Sequence, residues 1–368
     1  MSQSKLIVIA AGGTAGHVVP ALAVAAALRA DGARVEFVGA GRAEARLVPA
    51  AGYQLYTLSL EGISRSNPLK ALRAIARAAL AVPRARKLLK RLRPDAVMGG
   101  GGYVSGPVAL AAVSLRIPLV LTEADSHLGL TNRMLARFAR RVCLAFALPG
   151  REGPRYRVTG RPIPAPARDP RGARERLGIG AQEVCVLVFG GSLGARSINL
   201  ATAEAFAGGH SGDDDGATAD DDALRVLHIA GARDYPELAT RALPSSYDLR
   251  EYLAEPDFAD ALAAADLAVA RSGGSVFEIA AHGVPAVLVP YPHAAADHQS
   301  ENARWMAQAG AAVVIPDEEL TAERLFRQVG ELLADRELLA RMADASRALA
   351  RPEAAREVAA ELLRAAEG

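Results

Sequence analysis

Four glycine-rich stretches mark where this chain could do chemistry: GGTAGH (12–17), GGGGYVSG (99–106), GGSLGARS (190–197) and RSGGSVFE (271–278). In each, an apolar run leads in and a helix-like stretch leads out. Such a turn leaves backbone N–H groups unpaired at a helix N-terminus, where the helix dipole also favours an anion. The steric demands of a tight turn would explain one loop of this kind. Four of them, two in each half, point to phosphate-bearing ligands. His17 stands at the mouth of the first loop and carries the side chain whose ordinary pKa lies nearest neutrality. It could take a proton from a hydroxyl, donate a hydrogen bond to phosphate, or cap its own helix.

The elements that must position these loops are legible as apolar runs. KLIVIA, RVEFVG, QLYTLSL, AVMGG, PLVLTEA, RVCLAF and YRVTG read as strands of a first half, with Ala- and Leu-rich helical stretches between most of them. A proline-rich joint, GRPIPAPARDPRG (160–172), interrupts the rhythm, which restarts with VCVLVFGG, LRVLHIAG, LAVARSG, PAVLVPYP and AAVVIP. Apolar strands alternating with helices make parallel sheets covered on both faces. The expected fold class is therefore α/β, with two doubly wound Rossmann-like domains facing a cleft and a joint near residue 162. Loops at the carboxyl ends of the strands would line that cleft. A dinucleotide is not the expected ligand. The first loop is not G-x-G-x-x-G, the second strand ends at Gly39 without an acid, and Glu36 lies mid-strand.

The 368 residues suffice for two domains, and the near-balanced charge of +2 conceals an asymmetry. Residues 1–162 carry 24 Lys+Arg against 8 Asp+Glu, and the remainder carries 19 against 33. Within the first part, residues 62–94 hold ten Lys or Arg and no acid, with Leu69, Leu72 and Ile75, then Leu88, Leu89 and Leu92, at helical spacing. A basic amphipathic segment suits an anionic membrane surface. Nucleic acid is not expected there, because aromatic stacking residues are missing. No segment reads as a membrane span or a cleavable signal. Cys143 and Cys185 sit singly in apolar runs as buried free thiols, which fits a reducing cytoplasm. The Gly- and Asp-rich stretch 208–222 reads as a solvated surface loop.

GGTAGHVVPALA, GGGGYVSGPVALAA, GLTNRMLA, FGGSLGARSIN and DHQSENAR, in this order over nearly the whole chain, resemble the MurG family. That family transfers N-acetylglucosamine to the lipid-linked peptidoglycan precursor at the inner face of the bacterial plasma membrane, with inversion and on a type B glycosyltransferase fold. The resemblance implies an acceptor- and membrane-binding domain (1–162), a UDP-sugar domain (163–345), and a last helix (about 346–368) returning to the first. It places UDP-N-acetylglucosamine on Gly190, Gly191, Ser192 and Gly194 at the nucleotide end, with Gly273, Gly274 and Ser275 at the diphosphate. Glu278 would accept from the ribose hydroxyls, though Ser275 and Glu278 also spell an S-x-x-E capping box. His298 and Gln299 would meet the transferred sugar. Gly12, Gly13, Thr14, Gly16, Gly101, Gly102, Tyr103 and Ser105 would hold the diphosphate of a polyprenyl-linked acceptor, with His17 a candidate base and Asp125 a second candidate for base or acceptor contact. No cofactor or metal is implied, since loop amides can stabilise a leaving diphosphate.

Two stretches differ from the family pattern: a HEQN-like motif reads TEAD (122–125), and a GNPVR-like motif reads GRPIP (160–164), bringing Arg161 in and replacing the final arginine by Pro164. RSGGSVFE is also one residue short of that pattern. The alternatives are a related transferase with another lipid or natural-product acceptor, a non-hydrolysing UDP-N-acetylglucosamine 2-epimerase, and a UDP-sugar-binding module without catalysis.

Overall fold

The computed structural model describes residues 4–60, 68–191, 193–207, 224–294 and 297–368, with 68–76 as backbone only. Ser192 and the acidic stretch 208–222 therefore lie outside the described residues, as do the side chains of Leu69, Leu72 and Ile75. The chain divides into two compact units, Met1–Pro164 with Arg351–Gly368, and Ala165–Ala350.

The first unit holds a seven-stranded parallel sheet: β1 (Leu6–Ala10), β2 (Arg34–Gly39), β3 (Gln54–Thr57), β4 (Ala96–Gly99), β5 (Leu119–Glu123), β6 (Arg141–Leu144) and β7 (Tyr156–Val158), in the order β3-β2-β1-β4-β5-β6-β7. Its helices are α1 (Ala15–Ala30), α2 (Ala43–Ala50), α3 (Pro68–Leu92), α4 (Gly102–Ser114) and α5 (Leu130–Leu135). The period of two in the apolar strands feeds two cores at once. Ile7, Ile9, Phe37 and Met98 point to one face, covered by Val18, Val24 and Leu28 of α1. Val8, Val38, Val97 and Leu121 point to the other, covered by Ala85 and Leu89 of α3 and Val108 of α4. Each such side chain contributes about 1.5–3 kcal/mol on burial, so truncating fully buried Ile9 to Ala is expected to cost about 2–5 kcal/mol. Both cysteines are buried and free, their thiols pushed up to about 12 chiefly by burial.

The second unit repeats the plan with six parallel strands: β8 (Val184–Phe189), β9 (Leu224–Ile229), β10 (Tyr247–Arg250), β11 (Leu267–Ala270), β12 (Ala286–Leu288) and β13 (Ala312–Val314), ordered β10-β9-β8-β11-β12-β13. β10, YDLR, is the strand the sequence reading lacks; it is short, on the sheet edge, and half of it is charged. Its helices are α6 (Pro170–Leu177), α7 (Arg196–Ala207), α8 (Tyr235–Leu238), α9 (Asp257–Ala264), α10 (Val276–His282), α11 (His298–Gln308), α12 (Ala322–Ala334) and α13 (Arg336–Leu349). The expected last helix is interrupted. α13 packs with α10 and α12 in the second unit, whereas α14 (Ala354–Glu367) lies on α1, β4 and β5 of the first. There Val358, Ala359 and Leu362 enter the core, and Glu361 pairs with Arg141 at 2.9 Å and Arg157 at 3.0 Å.

In both sheets the strand order reverses beside the first strand, between β1 and β4 and between β8 and β11. The four glycine loops follow these four strands. Each unit thus presents a pair of glycine loops at its topological switch point, where open α/β sheets bind ligands.

Candidate active site

In the first unit the two glycine loops interlock. Gly101 and Gly102 adopt φ of +85° and +72°, in the left-handed region that favours glycine. A Cβ on Gly101 would come within 2.8 Å of the His17 ring, and one on Gly102 within 2.5 Å of the Gly12 carbonyl oxygen. His17 lies in the first turn of α1, its Nδ1 3.2 Å from the Thr14 hydroxyl. Arg161 donates to the Gly16 carbonyl at 2.6 Å. Burial, then the Arg161 charge, holds the His17 pKa below its ordinary value, against an opposing pull from Asp125. Both lowering causes favour the neutral imidazole over the charged one.

Not every residue expected at an acceptor diphosphate faces one. The Gly13 N–H is already donated to the Glu44 carboxylate at 2.9 Å. Ser105 is fully buried beneath the second loop with its hydroxyl unpartnered, close behind Gly99. One turn into α4, it points at the sheet and not outward. The Tyr103 ring lies beside Gly13, its buried hydroxyl unpartnered and its pKa raised by burial. Thr14 and Gly16 are exposed, and Gly101 and Gly102 half-buried.

Asp125 sits in a loop organised by a residue the sequence reading overlooked. Glu123, at the end of β5, accepts from the amides of Ala124, Asp125 and Gly129 at 3.1, 3.3 and 2.8 Å, and from Asn132 Nδ2 at 2.9 Å. Burial nonetheless raises its pKa.

In the second unit, the third loop turns at Gly191 (φ +91°) and Gly194 (φ +78°). Gly194 donates its N–H to the Gly191 carbonyl at 2.9 Å, so that amide closes the turn and is not offered to a nucleotide. A side chain at Gly190 would run into Ala195, and one at Gly194 into the Ala230 carbonyl. Asn199 on α7 braces this corner by donating to that carbonyl at 2.8 Å and to Asp234 at 2.9 Å.

The fourth loop is held from behind. Asn302 donates to the carbonyls of Ser272 and Gly273 at 3.0 and 3.4 Å, and the Ser272 hydroxyl donates to the Gln299 carbonyl at 2.8 Å. Among the described residues, no amide of Gly273, Gly274 or Ser275 donates to a backbone carbonyl. The capping box does not form. Ser275 has φ −63° and ψ −15° and makes no side-chain cap bond, whereas a capping residue needs extended backbone. Glu278 is half-buried in the first turn of α10. Gln299 accepts the Tyr291 N–H on Oε1 at 2.9 Å, which turns Nε2 toward Gly273. A residue without this bond could offer either end of its amide; Gln299 offers the donor. His298 is the first residue of α11.

Within the basic segment, Pro68–Leu92 form one long helix, α3, and the apolar stripe on its C-terminal part is spoken for. Leu89 is buried against the sheet, and Leu88 and Leu92 pack beside it. Periodicity reveals an apolar face and not what covers it. Arg84, Arg86, Lys87, Lys90, Arg91 and Arg93 remain exposed. Among the described residues, exposed large apolar side chains include Leu80 of α3, Leu110 of α4, and Leu130, Met134 and Phe138 along α5 and the short turn after it. α3 packs on α4, and α4 on α5.

Residues 7–144 match the glycosyltransferase family 28 N-terminal domain, and residues 185–358 the C-terminal domain of the same family. A UDP-N-acetylglucosamine–N-acetylmuramyl-(pentapeptide) pyrophosphoryl-undecaprenol N-acetylglucosamine transferase from Moorella thermoacetica is 39% identical, over 98% of this chain and 99% of that one. A counterpart of the same name from Halorhodospira halophila is 42% identical, over 96% and 97%. Among solved structures, MurG of Acinetobacter baumannii matches with a TM-score of 0.73 at 30% identity, covering 98% of this chain and all (100%) of that one. A UDP-GlcNAc 2-epimerase from Neisseria meningitidis shares the fold alone, with a TM-score of 0.64 at 13% identity over 98% and 100%.

Proposed function

The chain belongs to the MurG family within glycosyltransferase family 28, and from that membership we propose that it moves N-acetylglucosamine from UDP-N-acetylglucosamine to undecaprenyl-diphospho-N-acetylmuramoyl-pentapeptide. The observation that carries this reading is the likeness, over nearly the full length, to transferases named for that activity.

The second unit holds the donor. The amides of Gly273, Gly274 and Ser275 at the start of α10 receive its diphosphate, Gly190 and Gly191 approach the nucleotide, and Glu278 accepts from the ribose hydroxyls. Gln299 donates through Nε2 to the sugar, beside His298. The first unit holds the acceptor, with its diphosphate at the amides of Thr14–Gly16 and of Gly101–Tyr103, at the starts of α1 and α4. Asp125 contacts the acceptor. His17 is the base: with Nδ1–H donated to the Thr14 hydroxyl, Nε2 carries the lone pair that takes the acceptor hydroxyl proton. The freed oxygen bonds the anomeric carbon from the face opposite UDP. The bond from that carbon to the diphosphate oxygen breaks, and UDP leaves with the electron pair.

The protein works as a peripheral protein at the cytoplasmic face of the plasma membrane. Among the described residues no helix is long and apolar enough to cross a membrane. The exposed cations of α3, together with Leu80, Leu110, Leu130, Met134 and Phe138, meet an anionic bilayer near the acceptor. Each basic residue near such a surface contributes about 1 kcal/mol.

UDP release with and without a short-chain lipid-linked muramoyl-pentapeptide tests the reading. Release that depends on this acceptor and falls about 10²–10⁴-fold in His17→Ala is expected. UDP binding without acceptor-stimulated release would refute the acceptor assignment.

A further inference from the structure

Glu44 is the second residue of α2 and is fully buried, yet nothing in the mechanism uses it. Its two oxygens are divided between two loops. Oε2 accepts the Gly13 N–H at 2.9 Å, and Oε1 accepts the Ala40 N–H at 2.6 Å. Gly13 belongs to the loop after β1, and Ala40 directly follows β2. The carboxylate therefore pins together the carboxyl ends of two neighbouring strands.

The space it occupies is left by glycines. A Cβ on Gly12 would come within 2.7 Å of Oε1, and one on Gly39 would run into the Glu44 side chain itself. Burial pulls its pKa up, but amides at Gly13, Ala40, Arg42 and Glu44 itself outweigh that pull and leave it below the ordinary value. The group is a buried anion solvated by backbone. Losing one partner of such a group leaves the others mispaired.

The loop it grips is the one that carries His17. Gly13 is held at φ +103°, a conformation that fixes the direction in which Thr14 begins α1. On the far side the same loop rests on the second one, with the Gly12 carbonyl against Gly102 and the His17 ring over Gly101. Glu44 from one side and the second glycine loop from the other leave the His17 turn little freedom. The carboxylate also takes the Gly13 amide out of the anion-binding set, directing a phosphate forward to Thr14–Gly16.

We propose that Glu44 is a positioning residue for His17, acting through the Gly13 amide to hold the first glycine loop in register with the second. This rests on the reading of His17 as the base, and Glu44 itself touches no substrate.

The test is Glu44→Gln, which keeps the size but can accept only one of the two N–H groups; Glu44→Asp, which keeps the charge and shortens the reach, is the milder variant. Three quantities are read for both: amide hydrogen exchange across residues 12–17 without substrate, kcat with the lipid-linked acceptor, and KM for UDP-N-acetylglucosamine. The expected result is exchange at 12–17 faster by about tenfold or more with the rest of the sheet protected, kcat lower by about 10- to 100-fold, and donor KM within about twofold, since a small misplacement of a catalytic group acts on rate. Unchanged exchange at 12–17 would overturn the proposal, as would exchange that rises throughout the unit in both variants, which is a merely structural loss. A wild-type protein without acceptor-dependent transfer would refute the functional reading, while the exchange comparison still decides the role of Glu44.

Discussion

The Thr14 hydroxyl lies 3.2 Å from Nδ1 of His17, one helical turn away along the chain. A hydroxyl can donate or accept, so the bond fits either tautomer, but only one leaves Nε2 with the lone pair that the proposed base needs. If the hydroxyl accepts from Nδ1–H, removing it frees the ring to take the wrong tautomer. Thr14→Val is therefore expected to lower kcat by about 5- to 10-fold, the worth of one such hydrogen bond, while Thr14→Ser stays near wild type. Steady-state kinetics with saturating donor measures both. Equal losses in the two variants would contradict the tautomer assignment.

On the reading of His17 as the base, Arg161 contributes, after burial, to the position of the acidic limb of the pH–rate profile. A base works only when neutral, so kcat falls as pH drops through its pKa, and the depressed pKa of His17 places that limb below the ordinary histidine range. Arg161→Gln removes one of the two causes of the depression. The limb is then expected to move to higher pH, with Arg161→Lys closer to wild type. A limb that stays put in Arg161→Gln would mean that another group titrates.

Glu278 is read through the nucleotide. A carboxylate accepting from both ribose hydroxyls is worth about 1.5–3 kcal/mol, so Glu278→Ala is expected to weaken UDP binding by about 10- to 100-fold. Wild type should also prefer UDP to its 2′-deoxy analogue, and the variant should not. Calorimetric titration of the four pairs closes the cycle. A preference that survives the substitution would move ribose recognition elsewhere.

Much of this arrangement is legible in the sequence, and what is missed has a physical pattern. Glycine loops are visible because only glycine tolerates those turns, and their position at switch points follows from strand order. Glu44, Glu123, Asn132 and Asn302 were not visible. A buried polar side chain satisfied by backbone looks in sequence like any surface residue. Glu44 left one faint signal, its place four residues before buried Val48 on the same face of α2. The stripe Leu88–Leu89–Leu92 misled in the opposite sense, being apolar for the core and not for a membrane. Ser275-x-x-Glu278 has the letters of a capping box, but the serine backbone is helical and the motif does not close.

The proposed membrane contact is tested through the exposed cations of α3. Reversing Arg84, Arg86, Lys87 and Lys90 to Glu is expected to reduce binding to phosphatidylglycerol-containing vesicles by more than about 100-fold, at about 1 kcal/mol per basic residue. UDP affinity should be unchanged. Sedimentation with vesicles reads the first, and fluorescence titration of UDP the second. Undiminished vesicle binding would place the contact on another surface.

Proposed transfer to a lipid-linked muramoyl acceptor with inversion is tested most directly by the product itself. Incubation of the protein with UDP-N-acetylglucosamine and the lipid-linked muramoyl-pentapeptide, followed by mass spectrometry and NMR of the new linkage, should give a lipid-linked disaccharide with a β-glycosidic bond and one UDP per bond formed. An α bond, free N-acetylglucosamine, or an isomerised hexosamine in place of the disaccharide would contradict the account.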